Sequence, residues 1–150
     1  SAHIAMTKLT SIILQSPDAY AVHLISSEML MPKVLFLSEA KRMGPGYLPM
    51  MLWVKTYMGG AKGKDGKPGL IARTVGMRNF GFMEIETSNS KPDHQYLLKM
   101  IWGLGSLLAL KGPIVADGHT IGRTQKERIL VRHRISAFGT GKKVYSIDFG

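Results

Sequence analysis

The chain contains no cysteine. That excludes a disulfide framework, a thiolate nucleophile and any zinc site built on sulfur, and it fits a reducing compartment, so a cytoplasmic location is expected. Long apolar runs are missing too. No stretch reaches the roughly 18 to 20 residues that a membrane span needs, and no secretory leader is visible, so the chain reads as soluble. Acidic residues are scarce: 10 Asp and Glu face 20 Lys and Arg, a formal charge of +10. Such an excess favours polyanionic or acidic partners, among them nucleic acid, an anionic membrane surface and acidic proteins, without choosing between them.

What is present suffices for one core. With 150 residues, 45% of them hydrophobic, the chain is expected to form a single domain over residues 7–150. Residues 1–6, SAHIAM, show no hydrophobic periodicity and are expected to be the remnant of a cleaved tag outside the fold, which removes His3 from the functional candidates.

Along the chain, AYAVHLI (residues 19–25) has strand composition after the turn cluster Ser16-Pro17-Asp18. Residues 26–43 suit a helix with Pro32 in its first turn and a stop near Gly44-Pro45-Gly46. The runs at 50–58 and 70–76 read as two strands around a Gly/Lys-rich connector. NFGFMEIET continues as a strand, with Phe82, Glu84 and Glu86 on one face and Met83, Ile85 and Thr87 on the other. The clearest element follows. Leu97, Ile101, Leu104 and Leu108 recur at helical spacing, Ser90 and Asp93 resemble a capping box, Pro92 suits the first turn, and Lys111-Gly112-Pro113 supplies a stop. Gly103 and Gly105 cost helix stability, which close approach to a strand would explain. Two strands, ERILVRHRISAF and KKVYSIDF, complete the chain. The order implies an α+β fold: a mainly antiparallel sheet with two helices packed on one face.

Four places invite chemistry. In the connector, Gly63-Lys64 and Gly66-Lys67 suggest a phosphate cradle, but Asp65 and Pro68 stand where a P-loop needs Ser or Thr, and no helix follows. Lys62, Lys64 and Lys67 remain candidates for loose contact with a polyanion. Arg128, Arg132 and Arg134 share one strand face, and Lys142 and Lys143 follow on the next strand, so these five extend the candidate surface. Cross-strand pairing of those arginines with Glu84 and Glu86 is the alternative use of the charges. No aromatic platform accompanies them, since Trp53 and Trp102 sit in apolar segments expected to be core.

His23, His94, His119 and His133 show no H-x-x-x-H or HExxH spacing, so no metal site is expected, and His133 reads as a hydrogen-bonded sheet residue. No G-x-S-x-G elbow occurs. Glu84 and Glu86, roughly 7 Å apart on one strand face, form only a generic carboxylate pair. Within ADGHTIG (residues 116–122), Asp117 and His119 are weak catalytic candidates, because an Asp in a tight loop more often caps its own backbone. No cofactor is implied.

Taken together, LPMMLWVKTYM, ARTVGMRNFGFMEIET, LKGPIVADGHTIG and ILVRHRIS carry a resemblance. The chain resembles the bacterial Domain of Unknown Function family 4261 over residues 47–148. The matching positions are Pro49, Leu52, Trp53 and Val54; Thr74, Gly76, Phe80, Gly81, Glu84 and Glu86; and Asp117, Gly118, Thr120, Ile121 and Gly122. His119 stands where the family pattern has Asp, which weakens any role needing two acidic groups in that turn. The resemblance implies an α+β domain and no particular activity. Families of this kind often sit near bacterial secretion and toxin–immunity systems, which suggests, by analogy only, an interaction or immunity role. The leading expectation is therefore a non-enzymatic domain that binds another protein through its sheet edge or loops. Binding of nucleic acid or another polyanion is the alternative, and a hydrolase or toxin-like activity at Asp117 and His119 the third.

Overall fold

The computed structural model describes residues 2–62, 66–90, 93–122, 124 and 126–149, with Asn89 described by its backbone alone. Lys64 of the connector and Pro92 before the long helix lie outside the described residues. The fold has mixed α and β content, arranged in two compact units, Ser1–Lys55 and Thr56–Gly150.

The first unit holds helices α1 (Ala2–Ile13), α2 (Lys33–Arg42) and the single turn α3 (Met50–Trp53), with strands β1 (Ala21–Leu24) and β2 (Met29–Pro32). Residues 2–6, set aside on sequence, are the start of α1. There the His3 ring lies 5.6 Å from that of Trp53, and burial lowers the imidazole pKa. Thr7 accounts for the ordering: its hydroxyl donates to the His3 carbonyl and accepts the buried indole N–H of Trp53.

The helix expected from Ser26 begins only at Lys33. Glu28 adopts a left-handed conformation that reverses the chain, and Met29–Pro32 then pair with Ala21–Leu24 as an antiparallel hairpin. Pro32 sits at the helix N-cap, where its missing N–H costs nothing. Similarly, Met50–Trp53 fold into one helical turn instead of starting a strand, because Met50, Leu52 and Trp53 all become buried and alternation would have exposed one of them.

The second unit is a six-stranded sheet with one long helix. Strand β3 (Lys55–Lys62) begins at the boundary, followed by β4 (Pro68–Val75), β5 (Glu84–Ser90), helix α4 (His94–Lys111), β6 (Thr120–Ile121), β7 (Ile129–Ile135) and β8 (Lys143–Asp148). The sheet order is β3-β4-β5-β8-β7-β6. The pairings of β4 with β5, β6 with β7 and β7 with β8 are antiparallel; β8, inserted between β5 and β7, runs parallel to β5. β5 starts at Glu84, two residues later than the alternation begins, because residues 77–80 close a 3-10 turn first.

Cross-strand register sorts the side chains into two faces. Ile85, Tyr145 and His133 lie in one row, and Ala72 and Thr87 share their face with Ile147 and Val131. These are mostly buried, and helix α4 supplies the complementary apolar stripe: Leu97, Met100, Ile101, Leu104 and Leu108. A fully buried leucine contributes about 2 kcal/mol, so this stripe holds the helix in place. Trp102, on the flank of the helix, reaches Thr56 of β3 with its indole N–H. The helix cap is Asp93, whose carboxylate accepts the Tyr96 amide; Ser90 belongs to β5 and is buried. Gly103 is exposed with open space where a Cβ would stand, so close strand approach does not account for it.

Candidate functional site

The other face of the sheet carries the charges. In register across four strands lie Arg73, Glu86, Ser146 and Arg132, and the next row places Glu84, Val144 and Arg134 together. The expected pairing of Glu84 and Glu86 with the arginines of β7 is therefore interrupted by β8, which puts a strand between them. Adjacent strands lie about 4.8 Å apart, so the two sets are roughly 10 Å apart at the backbone.

Each glutamate is committed elsewhere. Glu84 accepts from the Thr74 hydroxyl at 2.6 Å and from the amides of Gly76, Met77 and Arg78 at 3.1, 3.2 and 3.3 Å. The Thr74 oxygen in turn accepts the buried Ile85 amide. Thus Thr74, Gly76 and Glu84 form one box that fixes the turn from β4 to β5, with the carboxylate seated in a nest of successive N–H groups. Glu86, itself buried, accepts from the Ser136 hydroxyl and the Ala137 amide, which draws the loop after β7 over this face.

ADGHTIG is likewise a backbone device. Gly118 N donates to the Val131 carbonyl and Val131 N to the His119 carbonyl, while Thr120 and Ile121 pair with Leu130 and Ile129 as β6. Beyond the end of β6, the Asp117 carboxylate accepts the amide of His133 at 2.7 Å. Asp117 therefore caps β7, sixteen residues away, and not the local amides expected for it. That hydrogen bond is the main cause of its lowered pKa, with Arg132, 4.0 Å away, adding to it. His119 Nδ1 accepts from Ala116 N. The two catalytic candidates are thus each turned to a different amide, and no hydrogen bond joins their side chains. Gly118 has φ +83, a conformation that disfavours any side chain here. A Cβ on Gly122 would stand 2.0 Å from the Glu127 carbonyl oxygen, so the chain closes tightly there.

His133 fulfils its expectation as a hydrogen-bonded sheet residue: Nε2 lies 3.0 Å from the Val115 carbonyl and the ring meets Tyr145 edge-on. Among the described residues no three His, Asp or Glu side chains gather as a metal site would require. None of the helices is long and apolar enough to cross a membrane, among the described residues.

The basic candidates are scattered. Lys62 ends β3 and Lys67 lies in the connector, at the sheet edge opposite β6; Arg132 and Arg134 share the charged face, Arg128 precedes β7, Lys142 precedes β8 and Lys143 opens it. The structure brings to this face two cations that sequence reading passed over, Arg73 and Arg78. They line a cavity of about 180 Å³ with Thr74, Glu84, Glu86, Thr140 and Lys142. Their proximity depends on strand order, which one sequence does not disclose.

Six strands, one covering helix and signature residues that hold the backbone define a mixed α/β domain. The family model described as Domain of unknown function (DUF4261) matches residues 73–148, and the chain belongs to that family. Thr74, Gly76, Phe80, Gly81, Glu84, Glu86 and the ADGHTIG turn fall inside the match, whereas Pro49, Leu52, Trp53 and Val54 fall outside it. No curated protein and no solved structure matches the chain.

Proposed function

We propose that this is a non-enzymatic interaction domain of a bacterial cytoplasmic protein, which binds a protein partner by strand addition to β3. The supporting observation is the contrast between the two edges of the sheet. At the β7 edge, β6, the His119 carbonyl and the Asp117 carboxylate take up successive outward amides. At the other edge stands β3, eight residues long, with no described strand on its outer side. An edge of that length offers a row of N–H and C=O groups to an extended peptide. Its only charges are Lys55 and Lys62 at the two ends, and Gly59 and Gly60 lie at its centre.

Single prolines placed at Gly59, Gly60 and Ala61 test the reading. Proline removes one N–H: where that N–H points outward it leaves the sheet folded and weakens partner capture, and where it points to β4 it lowers stability. A chain that stays monomeric, captures no partner and turns over a substrate in an activity screen contradicts the proposal.

A second reading, polyanion binding, is supported by Arg128 and Arg134, which are exposed and have no hydrogen-bond or ion-pair partner among the described residues. It requires affinity that falls with salt, and the absence of any gel shift at low ionic strength eliminates it.

A further inference from the structure

We infer that the cavity between the β4–β5 turn and the loop before β8 is an anion site that takes a single phosphate group, free or as a monoester. The inference stands apart from the strand-edge reading and uses different residues. Arg73 anchors it. The guanidinium carbon lies 5.5 Å from the ring centre of Tyr57 and 6.0 Å from that of Phe138. Both rings lie within cation–π range of the guanidinium, and such contacts leave its N–H donors unspent. Among the described residues, no hydrogen bond or ion pair engages the Arg73 side chain.

Arg78 is held from the second side: its Nη2 donates to the Lys143 carbonyl at 3.3 Å, which uses one of its five N–H donors. Thr140 accepts the Lys142 amide at 3.4 Å and so keeps its own hydroxyl hydrogen for a ligand. Lys142 is exposed and without an ion-pair partner among the described residues.

The two carboxylates in the lining do not cancel this arrangement. Glu84 is spent on Thr74 and three amides, and Glu86 on Ser136 and Ala137. Three cations against two carboxylates leave the lining one charge positive. Arginine donors in a fixed plane match the acceptors of a tetrahedral oxyanion, and a neutral ligand would leave them unpaired. Size argues in the same direction. At about 180 Å³ the cavity is smaller than clefts for drug-sized ligands, which begin near 300 Å³, so it admits an oxyanion and its ester linkage.

The test is a titration of the full chain with inorganic phosphate at constant ionic strength, followed by backbone amide chemical shifts. Saturable shifts at Arg78, Thr140 and Lys142 are expected, and affinity roughly tenfold weaker in Arg73→Gln and in Lys142→Ala. Lys142→Ala, on the surface, keeps the result interpretable if Arg73→Gln fails to fold, and Lys111→Ala, at the exposed end of α4, should bind as the unsubstituted chain does. A parallel titration with O-phosphoserine separates the sources: tighter binding than inorganic phosphate assigns the site to a phosphorylated protein, equal or weaker binding to the free ion. Shifts that never saturate, or that persist unchanged in Lys142→Ala and Arg73→Gln, overturn the inference.

Discussion

Asp117 accepts the backbone amide of His133, at 2.7 Å, and thereby finishes an edge that strand β6 is too short to cover. Substituting Asp117 with Ala should speed hydrogen exchange at the His133 amide far more than at Val131, whose amide is held by the His119 carbonyl. His119→Ala should leave both protected. Exchange followed residue by residue checks this, and equal acceleration at both amides in Asp117→Ala argues against a local cap.

The same contact sets a pH dependence. The folded Asp117 has a lowered pKa, chiefly through the His133 amide, so its contribution is complete above the unfolded-state value near 3.9 and is lost as pH falls through the folded value. The stability gap between the unsubstituted chain and Asp117→Ala should be flat at neutral pH and narrow below about pH 4. Denaturation curves at several pH values measure it.

Thr74 is buried and serves two partners, donating to Glu84 and accepting from Ile85 N. Thr74→Val keeps the shape but strands the Ile85 amide, and should cost about 1 to 3 kcal/mol in urea unfolding. A change under about 0.5 kcal/mol would remove the box from the account of the fold.

Two glycines should respond oppositely. Gly122→Ala forces a methyl against the Glu127 carbonyl oxygen and should destabilise, whereas Gly103→Ala meets open space on a helix and should stabilise by about 0.5 to 1 kcal/mol. Thermal melts of the two variants decide it.

Much of this could be read from the chain, and the failures share a cause. Helix α4 was legible because Leu97, Ile101, Leu104 and Leu108 repeat at the helical period and all become buried. The alternation of Ile85 against Glu84 and Glu86 named the two faces of β5 correctly. Misreadings arose where a turn overrides periodicity: the left-handed Glu28 converts Met29–Pro32 from helix to strand, and Thr7 with Trp53 draws residues 2–6 into α1. The charged face was only half legible. Arg128, Arg132 and Arg134 share parity on one strand, but strand order brings Glu86 beside Arg73 on one side and Ser146 on the other. Such pairings are tertiary facts, settled by which strand is inserted where. The family landmarks were visible as residues and not as roles, because Asp117 and Glu84 act on amides that only the folded chain supplies.

Strand β3 is the proposed docking edge. Affinity capture with the unsubstituted chain and with the three single-proline variants at Gly59, Gly60 and Ala61 tests it most directly, read beside each variant's melting temperature. The expected result is a partner held by the unsubstituted chain and lost from at least one variant that melts normally. Capture that is undiminished in every folded variant would contradict it.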